Sequence, residues 1–207
     1  MKKTLLSPLT LKSGLTLLVL AFIFMFSLTY IIEDLRFYTL KENVLGRFFA
    51  IKWWLIGHLS GGILALLIGP FQFWANFRNK YLKLHRNLGK VYLISILIAS
   101  LCSTYMAWNT AIMVHWTWAF SLQGLAFVWL ISSFMAYRSI RRKQIENHKE
   151  WMIRSYVVTT GFVSFRWIMA LPFIQNLGSF PEVAPTVVWS ILALSLFITE
   201  VILRWNK

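Results

Sequence analysis

Six long apolar runs, at about residues 13–32, 53–74, 88–107, 114–136, 152–173 and 185–203, take up most of this 207-residue chain. A helix needs roughly 20 residues to cross the hydrocarbon of a bilayer. Inside lipid every backbone polar group needs an internal partner, so runs of this length are expected to be helices. A membrane barrel would instead alternate apolar and polar residues in strands of about ten residues. No such alternation is visible. With 58% apolar and 14% charged residues, the chain is too apolar for an ordinary soluble domain. The expected fold is an all-α integral membrane protein: one transmembrane domain over residues 1–207, with six helices in an up-and-down bundle.

The net charge is +14, and its placement sets an expected orientation. With six spans, five of the 21 Lys and Arg residues fall on the side remote from the N-terminus: Arg36, Lys41, Arg47, Lys52 and Arg166. The other 16 share the N-terminal side. Cytoplasmic loops carry the excess of Lys and Arg, so both termini are expected in the cytoplasm. The apolar run after MKKTLLSPLTLKSG is too long for a cleaved signal peptide, so a retained first helix is expected. Basic loops between spans serve topology and contact with anionic lipid. The expected partner is therefore the bilayer, not nucleic acid. Cys102 is the only cysteine, which excludes an internal disulfide and a thiolate metal cluster.

Aromatic rings mark the ends of the runs. Trp53 and Trp54 open the second, Phe71, Phe73 and Trp74 close it, and Trp116 and Trp118 open the fourth. Such rings favour the membrane–water interface. Pro70 is expected to kink the second helix and Pro172 the fifth.

The four histidines, His58, His85, His115 and His148, fall one to each of the second to fifth runs. His58 and His115 sit toward the outer end, His115 at the entrance of its run. His85 and His148 precede their runs at the basic end. A b-type haem iron takes an imidazole from each face, and facing helices can supply them. Two levels with two histidines each suit two haems b, the outer on His58 and His115 and the inner on His85 and His148. A flat macrocycle needs small residues beside it. Gly61 and Gly62 follow His58 at three and four residues, on its own face, and Ser155 and Thr159 lie on the face of His148. Arg166 is a candidate partner for an outer propionate, and Arg86 and Arg154 for inner ones.

Plainer roles stand beside these. A histidine at a membrane helix end also serves as an interfacial hydrogen-bonder, and a Gly-Gly pair also serves close helix packing. Gln123 bonds between helices or touches a quinone, and Glu200 with Arg204 forms an i, i+4 pair. Glu33 and Asp34 read as a solvated boundary. No nucleotide loop, H-E-x-x-H motif, Ser/His/Asp grouping or intramembrane carboxylate pair is present, so the sequence assigns no reaction.

The strings HRNLGKVYL, from His85, and HKEWMIRSY, from His148, resemble the signature segments of a bacterial family of multi-pass membrane proteins that share a domain of unknown function. The resemblance covers about residues 50–175 and implies a bacterial inner-membrane location. More loosely, the chain is similar to the six-helix diheme b-type cytochromes that include transmembrane ferric reductases. Those proteins also carry one histidine on each of helices two to five, with helix two pairing with four and three with five. That likeness implies the pairs His58/His115 and His85/His148. The motifs that flank the fourth-helix histidine of those cytochromes are missing around His115. The expectation is a b-type cytochrome-like protein carrying electrons across the membrane, fed by quinol or another small reductant. The alternatives are a non-enzymatic accessory or assembly subunit that binds a partner, a second copy or lipid, and a small-solute or metal permease.

Overall fold

The computed structural model describes residues 8–205, and among residues 8–20 only the side chain of Leu18. The termini, and the side chains of Lys2, Lys3, Lys12 and Lys207, lie outside the described residues. Among the described residues the chain is helical without strands. Six long helices carry it: α1 (Pro8–Asp34), α2 (Lys52–Phe73), α3 (Leu82–Met106), α4 (Trp116–Arg141), α5 (Ile145–Met169) and α6 (Phe180–Arg204). Among the described residues, four helical stretches are long and apolar enough to cross a membrane: Glu42–Phe73, Leu82–Val114, Trp116–Arg141 and Phe180–Arg204.

The helices outrun the apolar runs because helicity and apolarity end in different places. Lys, Arg and Glu are good helix formers, so α3 and α5 begin inside basic sequence. His85 and His148 therefore lie in the first turns of α3 and α5, not ahead of them. At the other end α3 passes through a π-bulge (Ala107–Ala111) into a last turn, Ile112–Val114. Single-turn π segments of this kind often sit at functional sites. Pro70 lies within α2, which continues to Phe73. Pro172 does not kink α5: that helix ends at Met169, and Pro172 opens a separate turn, Pro172–Gln175, where its missing N–H costs nothing. Ser179 caps α6 in a reciprocal box with Glu182, which fixes where that helix starts.

Helices α2 to α5 form a closed ring. α2 packs on α3, α3 on α4, α4 on α5, and α5 back on α2. α6 covers α4 and α5, while α1 leans on α2 and α5. The tightest seam is α2 with α3. A Cβ at Gly61 would lie 2.5 Å from the Ser95 carbonyl oxygen and 2.9 Å from the Ala99 Cβ, so the bare glycine lets the two backbones approach. Gly69 does the same for the Tyr156 ring of α5.

The centre of the ring is packed and polar at once. Tyr92 is fully buried, and its hydroxyl bonds Ser155 Oγ at 3.0 Å and Thr159 Oγ1 at 3.1 Å. Trp129 donates to Thr159 at 2.9 Å, and Ser133 bonds Ser155 at 2.8 Å. Each of these four hydroxyls and the Trp129 N–H thereby has a partner, without which it would destabilise the interior. The outward surface is the apolar one: Phe22, Ile94, Phe127, Phe134, Leu194 and Phe197 are all exposed. Apolar exposure on this scale calls for an apolar solvent.

Candidate functional site

The ring order puts the histidine-bearing helices on two diagonals. α2, with His58, stands opposite α4, and α3, with His85, stands opposite α5, with His148. Between them, in the half remote from the basic loops, lies a cavity of about 360 Å³. That is within the range of small-molecule and cofactor sites. Its walls include His58 and Gly62 of α2, Thr110 of the π-bulge, Trp118 and Trp129 of α4, and Phe162 and Arg166 of α5. Asp34 of α1 and Arg36 and Arg47 of the following loop also line it.

The ring nitrogens distinguish the histidines. His58 Nδ1 lies 3.0 Å from the Ala99 carbonyl oxygen. A carbonyl only accepts, so Nδ1 donates and Nε2 keeps its lone pair. His148 is held the same way, its Nδ1 donating to the Ala136 carbonyl at 2.9 Å. Metal-binding histidines are commonly oriented by such a second-shell bond. His115 is the reverse. It caps α4, and the Thr117 backbone N–H donates to its Nδ1 at 3.3 Å, with the Thr117 hydroxyl at 2.7 Å. Nδ1 accepts there, so the proton sits on Nε2. His115 is exposed and is not part of the cavity wall.

At the basic end, His85 and His148 lie in the first turns of α3 and α5, near one another. His85 Nδ1 is buried without a partner, as is Nε2 of Gln72. The Gln72 amide rests over Gly89, one turn from His85.

The remaining candidates divide. Gly62 faces open space on the cavity wall, whereas Gly61 is used against α3. The Ser155 and Thr159 hydroxyls both bond Tyr92, and Thr159 also lines the cavity. Arg166 lines the cavity but is committed: it holds Asp34 through two bonds of 2.8 and 2.9 Å, reaches Glu33 at 3.2 Å and lies 4.2 Å over the Tyr30 ring. Glu33 and Asp34 are thus the counter-charges of Arg166: Glu33 is solvated, as a boundary residue would be, whereas Asp34 is largely covered. Arg154 is likewise paired, with Glu200 and Glu150, and Glu200 also takes Arg204. Arg86 is exposed. Gln123 accepts from Trp108 at 3.1 Å and donates to Thr104 at 3.4 Å, the interhelical bonding expected. Among the described residues no three His, Cys, Asp or Glu side chains gather to hold a metal ion.

Arg36, Arg47, Asp34 and Gln72 are site residues that pattern reading missed. A signal existed for Asp34: a lone arginine within an apolar run demands a counter-charge at its own depth. Haem b fits these residues unevenly. His58 and His148 present free Nε2 atoms, His85 lies near His148, and His115 offers neither the nitrogen nor the position.

No curated protein and no solved structure matches the chain. A family model described as predicted membrane protein (DUF2306) matches residues 55–203, a stretch that runs from α2 to α6 and holds all four histidines. Buried polar seams inside an apolar exterior and that match lead to one assignment: the chain belongs to the DUF2306 family of predicted membrane proteins.

Proposed function

We propose that this protein is a b-type cytochrome-like membrane protein that carries electrons across the bilayer. The observation that carries the reading is the shared pose of His58 and His148, at opposite ends of the ring. Each donates Nδ1–H to a backbone carbonyl, which leaves Nε2 as the nitrogen that can ligate, and His58 lines the cavity. One haem is proposed in the cavity with His58 as a ligand, and another at the basic end between His85 and His148. Haem supplies the one-electron chemistry, while the protein sets ligation, burial and surrounding charge. Arg36 and Arg47 give the cavity's rim cations for propionates, since Arg166 is engaged by Asp34. His115 serves as a helix cap in this reading, so the outer centre differs from a bis-histidine pair. Quinol or another small reductant is the proposed electron source.

Six transmembrane helices are proposed, with both termini in the cytoplasm of a bacterial inner membrane. α5 is the least apolar of the ring helices, yet its inward arginines are paired, which is how charge is accommodated in a span. The test is a reduced-minus-oxidised visible spectrum of the protein purified in detergent from haem-replete cells. The reading expects b-type bands in stoichiometric amount. A folded protein without them would overturn it.

A further inference from the structure

We propose that the groove between α3 and α4 is a binding site for an anionic phospholipid of the leaflet at the basic end of the bundle. This surface is separate from the cavity and independent of the haem reading. The groove encloses about 440 Å³. Leu93, Ile94 and Leu97 form one wall and Leu130, Phe134 and Tyr137 the other. Its floor is Ile96 and Ser133. The Ser133 hydroxyl is already used, donating to the Trp129 carbonyl at 2.8 Å and bonding Ser155. An apolar chain can therefore lie in the groove without stranding a polar group.

Charge picks the occupant's head. Lys90 closes the groove at its basic end and is exposed. Arg86 lies one turn earlier on the same face of α3. Arg138 follows Tyr137 on α4, and the Arg141 guanidinium stands 6.0 Å from the Tyr137 ring. Neither α3 nor α4 contains an Asp or Glu, so neither helix supplies these four cations with a counter-charge. An apolar trough ending in a cluster of cations matches a single acyl chain beneath a phosphate. Basic pockets between transmembrane helices recognise anionic head groups in this way. Lys90 provides the point charge and the groove the length.

The experiment is native mass spectrometry of the full chain from micelles doped with phosphatidylglycerol or phosphatidylcholine of matched acyl chains. Retention of phosphatidylglycerol is expected to exceed that of phosphatidylcholine several-fold. Lys90→Gln, at an exposed position that leaves packing intact, is expected to remove most of that preference. Leu97→Trp, which fills the groove, is expected to reduce retention of both lipids, while Leu194→Trp on the exposed face of α6 is expected to leave it unchanged. Equal retention of the two lipids by the unaltered protein would overturn the proposal. So would a Lys90→Gln protein that keeps the preference. A dimer lost with Leu97→Trp, without lipid selectivity, would assign the groove to a second copy instead.

Discussion

At the residue scale, the ring nitrogen that carries the proton matters more than the presence of a histidine. His58, His148 and His115 are equally visible in the sequence, but their Nδ1 partners separate them. Two face carbonyls and one faces an amide, and that contrast depends on backbone groups tens of residues away for His58, which sequence spacing does not encode. The same holds for Arg166, whose counter-charges Asp34 and Glu33 lie more than 130 residues earlier. Their energies are separable. Asp34 is nearly buried and Glu33 is not. Asp34→Ala strands a partly buried guanidinium and is expected to cost on the order of 2–3 kcal/mol, somewhat less than for a fully buried pair. Glu33→Gln is expected to cost under about 1 kcal/mol, as for exposed pairs. Unfolding of the two variants in detergent, compared with the unaltered protein, checks the order. Equal effects would mean that Arg166 does not discriminate between its partners.

At the element scale, apolar run length located all six long helices but misjudged their ends. Side chains such as Lys83, Arg86, Glu146 and Lys149 end an apolar run while continuing a helix. That is why His85 and His148 read as lying ahead of their apolar runs and stand within the first turns of their helices. Close packing was legible only in part. Gly61 and Gly62 form one sequence pair, yet one seals the α2–α3 seam and the other opens on the cavity. Nothing local separates them, because the partner helix decides. Gly69 was legible as part of a Gly-Pro kink and as a small residue on the face of His58, eleven residues on, but it receives the Tyr156 ring. Gly69→Ala is expected to destabilise the protein by roughly 1–3 kcal/mol through overpacking. Adding Tyr156→Leu to that variant is expected to relieve the clash, so the double variant should melt above the sum of the single losses. Simple additivity in thermal unfolding would show that α2 and α5 do not meet there.

At the scale of the whole molecule, a hollow half and a filled half share one bundle. The cavity around His58 lies remote from the basic loops, and the hydroxyl network around Tyr92 fills the middle. Membrane class was legible because apolar length and charge bias are summed over long segments. The site was not, because a cavity is a property of all six long helices together. Orientation has its own check. In a Cys102→Ala background, Lys143→Cys lies in the basic loop between α4 and α5, and Gln175→Cys lies beyond α5 at the other end. An impermeant maleimide is expected to label the first only from the cytoplasmic side and the second only from outside. The opposite pattern would invert the topology.

The central claim, that His58 and His148 each present a nitrogen to a haem, is tested most directly by spectra of three purified variants in parallel. His58→Ala is expected to lose one b-type centre and keep the other. His148→Ala is expected to lose the second and keep the first. His115→Ala is expected to retain both. Two centres that survive in His58→Ala and His148→Ala alike, or an unaltered protein that carries no haem, would contradict the account.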